Sequence, residues 1–576
     1  MTARAAAALA ERWPGARLAG SAGLDWAFRL SAGPIEIGPR EAPVVIIRRV
    51  RARPRLLSLL RARIEVALLT VDGVHVEAGP RGEALARLGG EGMARPRDRA
   101  AGPLPPDLEV ELRDLTIRMP LAHGPRALVA DVGPLSAHIA LRGAGGERHI
   151  AARLRLPGGG RGEVELGPGR GSYHALLRGL RVADLPPGLA AALPLRLAEG
   201  AFEVEVTGTR DGSRLAAQVR AVAERLSVRW ERLDPDAVGP LDLRLAGDVA
   251  WDGTHLTLSG GRVAAGPRGG AEADVAAALA LGREPRLELR VEARRLGWEA
   301  LLAALPPQLR PPPEAPAVRG TLTGWLRAAG PLRDPGAWTI EGDLDPTGLG
   351  AAPPHPAALD LSRPFTWRAP LPGGGTRTVE VGPARARWVP LSEIPPHAVR
   401  AVLLSEDAGF FTHHGFDVRE IHDALARARG GRRLRGASTI TQQLAKNLFL
   451  GPERTLARKA REALATLALE ACVPKRRLLE IYLNMAEWGS GVYGVGEAAW
   501  HWFGKDARQL GPKEAAFLAT VIPNPVRFEM YLRRGALTEN AEARVRDLLV
   551  KLRGADALSD EEFYEAWWAP LAFARG

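Results

Sequence analysis

Apolar and polar residues alternate with period two through much of residues 1–365. Leu108-Glu109-Val110-Glu111-Leu112, Phe202-Glu203-Val204-Glu205-Val206, Leu241-Asp242-Leu243-Arg244-Leu245 and Leu287-Glu288-Leu289-Arg290-Val291 are clear examples. Successive strand side chains point to opposite faces, so these runs predict antiparallel strands with one apolar and one polar face. Ile64-Glu65-Val66 and Val71 to Glu77 read as strand segments around a turn. Pro157-Gly158-Gly159-Gly160 and Trp251-Asp252-Gly253 read as breaks between strands, and Trp298 to Leu305 as a short helical insert. No strict repeat period accompanies this style.

After Leu391 the period changes to that of helices. Between Thr455 and Cys472, Leu456, Ala460, Ala463, Leu464, Leu467, Ala468 and Ala471 fall on one face and predict a buried helical stripe. Arg454, Arg458, Arg461 and Glu462 fall opposite, where a solvated face with an Arg458–Glu462 pair is the plain expectation. Thr439-x-x-Gln442 fits a capping box that starts a helix. Thr439, Gln443, Lys446 and Asn447 then share a polar face, which suits a wet cleft. Pro353-Pro354-His355-Pro356 and Pro372-Gly373-Gly374-Gly375 mark a linker region. The expected organisation is a β-rich region at 1–365, a linker at 366–389 and a mainly α domain at 390–576.

Composition narrows the chemistry. At 576 residues the chain exceeds one hydrophobic core. Its net charge of +12 suits an anionic partner, and a GC-rich genome is the plain alternative source of its arginines. Cys472 is the single cysteine, so neither an intrachain disulfide nor a cysteine metal cluster is available. No apolar run of about 18 residues encodes a transmembrane helix. Gly489-Ser490-Gly491-Val492-Tyr493-Gly494 spells G-x-G-x-x-G, but it follows a predicted helix, Lys475 to Glu487, where a dinucleotide site needs a strand. Basic residues without interleaved aromatics also argue against a nucleic-acid partner.

Leu404 to Asn447 concentrates the reactive groups. Glu406 and Asp407 adjoin Phe410, Phe411, His413 and His414. An arginine- and glycine-rich tract, 427–435, precedes the polar helix start at Ser438 and Thr439. Such a tract reads either as a solvated loop or as a mobile clamp for phosphate.

Two family resemblances emerge. The Val50 to Leu60 run, Val66 to Val76 and Gly330 to Gly336 resemble AsmA-like periplasmic proteins, which implies a long curved sheet that handles lipid beside a membrane. A generic β-rich spacer is the alternative. Further on, Glu406-Asp407-x-x-Phe410-x-x-His413-x-Gly415, Gly436 to Gln443 with Lys446-Asn447, and Arg454-x-x-x-Arg458-Lys459-x-x-Glu462 resemble three successive motifs of the peptidoglycan glycosyltransferases of family 51. Leu479-Glu480-x-Tyr482-Leu483-Asn484 with the Gly489–Gly494 segment, and Glu514-Ala515-Ala516-x-Leu518 with Pro523-Asn524-Pro525, resemble the last two. Glu487-Trp488-Gly489 and Pro523-Asn524-Pro525 look most like the monofunctional biosynthetic branch.

This second resemblance implies a partly lysozyme-like helical domain and an inverting enzyme that polymerises lipid II into β-1,4 glycan, releasing undecaprenyl pyrophosphate. A sugar hydroxyl needs a base, and the resemblance assigns that to Glu406, with Glu462 as the second carboxylate. Asp407 would orient and His413 would hydrogen-bond. Phe410, Ser438, Thr439, Gln442, Gln443, Lys446, Asn447, Arg454, Arg458, Lys459, Glu480 and Asn484 complete the expected substrate-binding set. The pyrophosphate calls for basic side chains or a divalent cation, Mg or Mn, with Glu462 as candidate ligand; no organic cofactor is expected. Expected partners are lipid II, the growing glycan, an anionic membrane surface and cell-wall synthesis or division proteins. The expected location is the periplasmic face of the inner membrane. Relatives of this type usually carry one N-terminal anchor helix; the resemblance therefore implies either a start internal to a longer protein or peripheral binding through basic charge and exposed apolar residues. Alternative readings are a non-catalytic lipid-binding envelope protein and a lysozyme-like hydrolase; the latter needs a water-activating site rather than a cation cluster.

Overall fold

The structure is a computed structural model. It describes residues 1–12, 16–25, 29–39, 43–55, 65–77, 107–120, 129–142, 149–167, 171–185, 196–211, 214–231, 233–267, 270–280, 284–332, 337–371, 374–417 and 438–574. The chain divides into two compact units. One comprises Met1–Val291, Ala303–Gln308 and Ala329–Arg333; the other comprises Glu292–Leu302, Leu309–Ala328 and Asp334–Gly576.

The first unit is a sheet of strands that pair in sequence order, from Ala16–Leu24 to Ala271–Ala280. Exposure alternates residue by residue along His149–Arg155 and the start of Arg214–Trp230, as period two demands. Long strands result where the alternation persists: Asp234–Trp251 continues through Gly239 and Pro240, and only Asp252 and its neighbours turn the chain back. There Asp252 Oδ1 accepts from the backbone N–H groups of Thr254 and His255 at 2.8 and 2.6 Å, closing the turn.

Two sequence expectations fail in this unit. The sheet is not wholly antiparallel, because Val66–Glu77 and Asp107–Pro120 run parallel. Parallel neighbours need a long crossover, and the intervening residues supply the length. Val66–Glu77 is also one strand rather than two segments around a turn. Gly73 sits within it at φ +66°, opposite Arg48, and a Cβ there would meet the Arg48 side chain at 2.6 Å. Pairing with Val45–Pro54 keeps one register from Val76 past Gly73 to Leu68, so Asp72-Gly73 lies inside a continuous strand.

In the second unit the helices are numbered with the earlier ones: α1 Thr2–Arg12, α2 Trp298–Ala304, α3 Pro396–Glu406, α4 Ile440–Phe449, α5 Leu456–Cys472 and α6 Lys475–Met485. They continue as α7 Val495–Phe503, α8 Pro512–Val521, α9 Pro525–Arg534, α10 Glu539–Gly554 and α11 Asp560–Trp568. Phe410, Ile440, Leu444, Tyr482, Trp488, Trp502 and Phe517 lie in a core shared by the helices from α3 onward. Residues 366–389 contain most of a hairpin, Phe365–Pro370 with Thr376–Val381, and its Trp367, Ala369 and Val381 are buried in the same core. Within this unit a second apolar cluster joins Trp298, Val318, Leu322 and Leu349 to Leu467 and Ala468 of α5. The G-x-G-x-x-G segment forms a minimal hairpin, Glu487–Gly489 with Val492–Tyr493, directly after α6.

Candidate functional site

Glu406 is the last residue of α3, and Asp407 caps that helix in an extended conformation (φ −166°, ψ 78°). The change in backbone direction sends the two carboxylates to different partners. Asp407 turns inward, is almost fully buried, and accepts from His413 Nε2 at 2.8 Å and from the Ile440 N–H at 3.0 Å. His413 Nδ1 accepts from the Gly415 N–H at 3.1 Å, so Nε2 carries the hydrogen given to Asp407. The Ile440 contact places the Asp407 charge at the first turn of α4, where the helix macrodipole favours an anion.

Glu406 is partly exposed. Its Oε2 accepts from Gln443 Nε2 at 2.9 Å, and Ser405 Oγ approaches its Oε1 at 3.4 Å. Gln443 reaches it because α4 begins where the sequence predicts. Thr439 Oγ1 accepts from the Gln442 N–H at 3.2 Å, and Gln442 Oε1 accepts from the Thr439 N–H at 3.0 Å, forming the reciprocal capping box. Thr439 Oγ1 also donates to Gly415 O at 2.7 Å. Thr439 and Gln442 are therefore buried and engaged in the cap. Of the side chains expected on one polar face, Gln443 turns to Glu406, Lys446 is exposed, Asn447 is half-buried and Thr439 is not on an open face.

The second carboxylate stands on α5. Glu462 is 3% exposed, which overturns the expectation of a solvated face, while Leu456 is 47% exposed instead of buried. Charge pairing explains the inversion. Arg458 donates to Glu462 Oε2 at 2.8 Å and Lys459 Nζ donates to its Oε1, so burial does not strand the charge. Lys459 also reaches Ser438 Oγ at 3.5 Å, and Gln443 Nε2 lies 3.5 Å from Ser438 O. Ser438 thus connects the surroundings of Glu406 with those of Glu462. Arg454 is exposed at the start of α5. The Nε groups of Arg458 and Arg461 are buried without a hydrogen-bond partner among the described residues. The arginine- and glycine-rich tract at 427–435 lies outside the described residues.

Glu480 and Asn484 face another task. Glu480 Oε1 accepts from the Leu391 N–H at 3.0 Å and pairs with Arg477. Asn484, 1% exposed, accepts from the Val389 N–H at 3.1 Å and donates to Val389 O at 2.9 Å. Both fasten the segment leading into α3 onto α6.

Tyr482 and Glu470, given no role from the sequence, and the expected Phe410 complete the surroundings. Tyr482 O–H donates to Gln443 Oε1 at 2.9 Å. Burial, then the charges of Glu406 and Asp407, push its phenol well above the usual tyrosine range. Glu470 Oε1 accepts from Thr441 Oγ1 at 2.5 Å and from Lys475 Nζ at 2.8 Å, and Lys475 lies 4.3 Å from the centre of the Phe410 ring. Phe410 is fully buried, whereas Phe411 is 52% exposed. The helical spacing of Tyr482 with Leu478, Leu479 and Leu483 reads as core, which hides its polar end.

Glu462, the expected cation ligand, is already paired among the described residues. Both oxygens of Glu462 already accept from cations, and no group of three His, Cys, Asp or Glu side chains suited to a metal occurs among the described residues. Among the described residues, no helix is long and apolar enough to cross a membrane.

Comparison with known proteins matches this region. The family described as Transglycosylase matches residues 375–553. A biosynthetic peptidoglycan transglycosylase of Rhodospirillum centenum is 51% identical over 166 residues, 28% of this chain and 72% of that protein. Another, of Ectopseudomonas mendocina, is 40% identical over 218 residues, 38% of this chain and 86% of that protein. A solved structure of penicillin-binding protein 1A from Haemophilus influenzae aligns with 37% of this chain and 22% of its own at 20% identity, with a TM-score of 0.19, too low to bear on the fold. At such identities over most of the relatives' length, the chain belongs to the biosynthetic peptidoglycan transglycosylase family.

Proposed function

We propose that this transglycosylase polymerises lipid II into β-1,4 glycan and releases undecaprenyl pyrophosphate, with Glu406 as general base. The acceptor sugar's 4-hydroxyl oxygen attacks the anomeric carbon of the donor, and its proton passes to the Glu406 carboxylate. The bond from the anomeric carbon to the pyrophosphate oxygen breaks with its electron pair, and displacement from the opposite face inverts the centre.

The observation that supports this reading is the hydrogen-bonded link from Glu406 through Gln443 and Ser438 to Lys459 and Glu462. It brings a half-exposed carboxylate and a cationic end into one site, as the two ends of such a displacement require. Arg454, Arg458, Lys446 and Lys459 are the groups we assign to the departing pyrophosphate, where fixed cations stabilise charge as it develops. Lys459 and Arg458, held by Glu462, supply part of this charge. Asp407 and His413 support the base by fixing the turn between α3 and α4, and Thr439 and Gln442 by starting α4. The enzyme works at the periplasmic face of the membrane that carries its substrate, and its N-terminal sheet, with one apolar face on its strands, handles lipid there.

Incubation with labelled lipid II tests the proposal. The unaltered chain should yield polymer, and Glu406→Gln should lower the rate by about 10²–10⁴-fold. Polymer from both at equal rates refutes Glu406 as base. Polymer from neither favours a non-catalytic lipid-binding role.

A further inference from the structure

Gln443 offers Glu406 either end of its amide, and the two ends have opposite effects. The N–H₂ end donates to a carboxylate and favours its ionised, proton-accepting form; the carbonyl end repels it. Something must therefore set the amide's direction. The group on the far side of Gln443 is the Tyr482 hydroxyl, 2.9 Å from Oε1. Tyr482 is 1% exposed, on α6, and its ring is fixed in the core among residues of α4 and α6.

We propose that Tyr482 is a positioning residue for the transfer reaction, acting through Gln443 to keep the donor end of that amide on Glu406. The inference rests on the assignment of Glu406 as base. A buried phenol beside two carboxylates stays protonated throughout the working range, so it always has a hydrogen to donate. That hydrogen needs an acceptor, and Gln443 Oε1 is the acceptor at 2.9 Å. With Oε1 held by Tyr482, Nε2 must face Glu406 Oε2, as it does at 2.9 Å. The same Nε2 lies 3.5 Å from Ser438 O, a second acceptor that a reversed amide would confront with its carbonyl. The Ser438 carbonyl disfavours the reversed orientation, and the Tyr482 hydroxyl holds the carbonyl end.

Among the described residues, the charged groups near the base face as follows. Asp407 is turned to His413 and the α4 N-terminus. Lys446 is exposed one turn beyond Gln443 on α4, and Lys459 and Glu462 pair with each other beyond Ser438. On the α8 side, Ser405 Oγ meets the Ala519 carbonyl. Gln443 is the group that donates to Glu406 Oε2 and also contacts Tyr482.

The experiment compares lipid II polymerisation by the unaltered chain, Tyr482→Phe, Gln443→Leu and the double variant, each across pH. Tyr482→Phe removes one oxygen and leaves the ring. It should lower kcat about tenfold, leave KM within about twofold, and move the acidic limb of the kcat profile up by about half a pH unit, since the base loses its aligned donor. Gln443→Leu should move the same limb in the same direction, and adding Tyr482→Phe to it should cost no further activity. A kcat loss with an unmoved limb, or additive losses in the double variant, overturns the proposal. Should Tyr482→Phe not fold, an unmoved limb in Gln443→Leu overturns it equally. Glu406→Gln is the separate control: if that variant keeps full activity, the base assignment itself fails, whatever the Tyr482 series shows.

Discussion

Asp407 and His413 form a nearly solvent-free pair, with His413 Nε2 donating to Asp407 Oδ1 at 2.8 Å. The other Asp407 oxygen accepts from the α4 backbone at Ile440. Both oxygens therefore face N–H donors. Asp407→Asn would turn an N–H₂ group onto one of them and remove the anion at the start of α4. We expect it to lower unfolding free energy by about 1–3 kcal/mol. Denaturant titration measures this, and an unchanged midpoint would contradict the role given to the pair.

Glu462 holds Arg458 and Lys459 together on α5. Glu462→Gln should release both side chains and lower polymerisation at least about tenfold, while the protein stays folded by circular dichroism. Because cations already occupy both Glu462 oxygens, EDTA should leave the unaltered chain's rate within about twofold. A rate abolished by EDTA and restored by Mg²⁺ would show that a metal does this work.

Leu467 is 4% exposed and touches the cluster that includes Trp298 and Val318. Leu467→Ala should cost about 2–5 kcal/mol of stability, the range for a large-to-small change in a packed core. A loss below 1 kcal/mol, read from the denaturation midpoint and slope, would mean that this contact is loose in solution.

Alkaline pH supplies another check. Burial, with the nearby Glu487 charge, pushes the Tyr493 phenol up to about 12, and Tyr482 is also raised. A raised folded-state value means that the native chain retains protons which the unfolded chain gives up. Stability present below pH 10 should therefore decline as pH rises from about 10 towards 12. Tyr493→Phe should flatten that decline in unfolding curves; an identical slope would count against it.

The sequence made much of this fold legible, for local reasons. Strand alternation survives in Asp234–Trp251 because neighbouring strands enforce the same period on both sides. The Thr439–Gln442 cap was readable because it is satisfied within four residues. Glu462 was misplaced on an open face because its burial depends on Arg458 and Lys459 folding back over it, which helical spacing does not reveal. Val66–Glu77 reads as two segments around a turn because the residues between Val66 and Val71 break the alternation, while pairing with Val45–Pro54 keeps them in one strand. Tyr482 stands in the Leu479–Asn484 motif but was given no role, because its ring belongs to the core and only its oxygen reaches the site.

The apolar side of α5 has a wider consequence. The helix presents Glu462 to the candidate site and Leu467 and Ala468 to Trp298, Val318, Leu322 and Leu349. Those four precede the segment that matches the family, residues 375–553. Recombination that exchanged only the matched segment for a relative's would therefore break a seam in which side chains on both sides have adapted to one another. A working exchange would have to carry Trp298, Val318, Leu322 and Leu349 along with the helix they pack on.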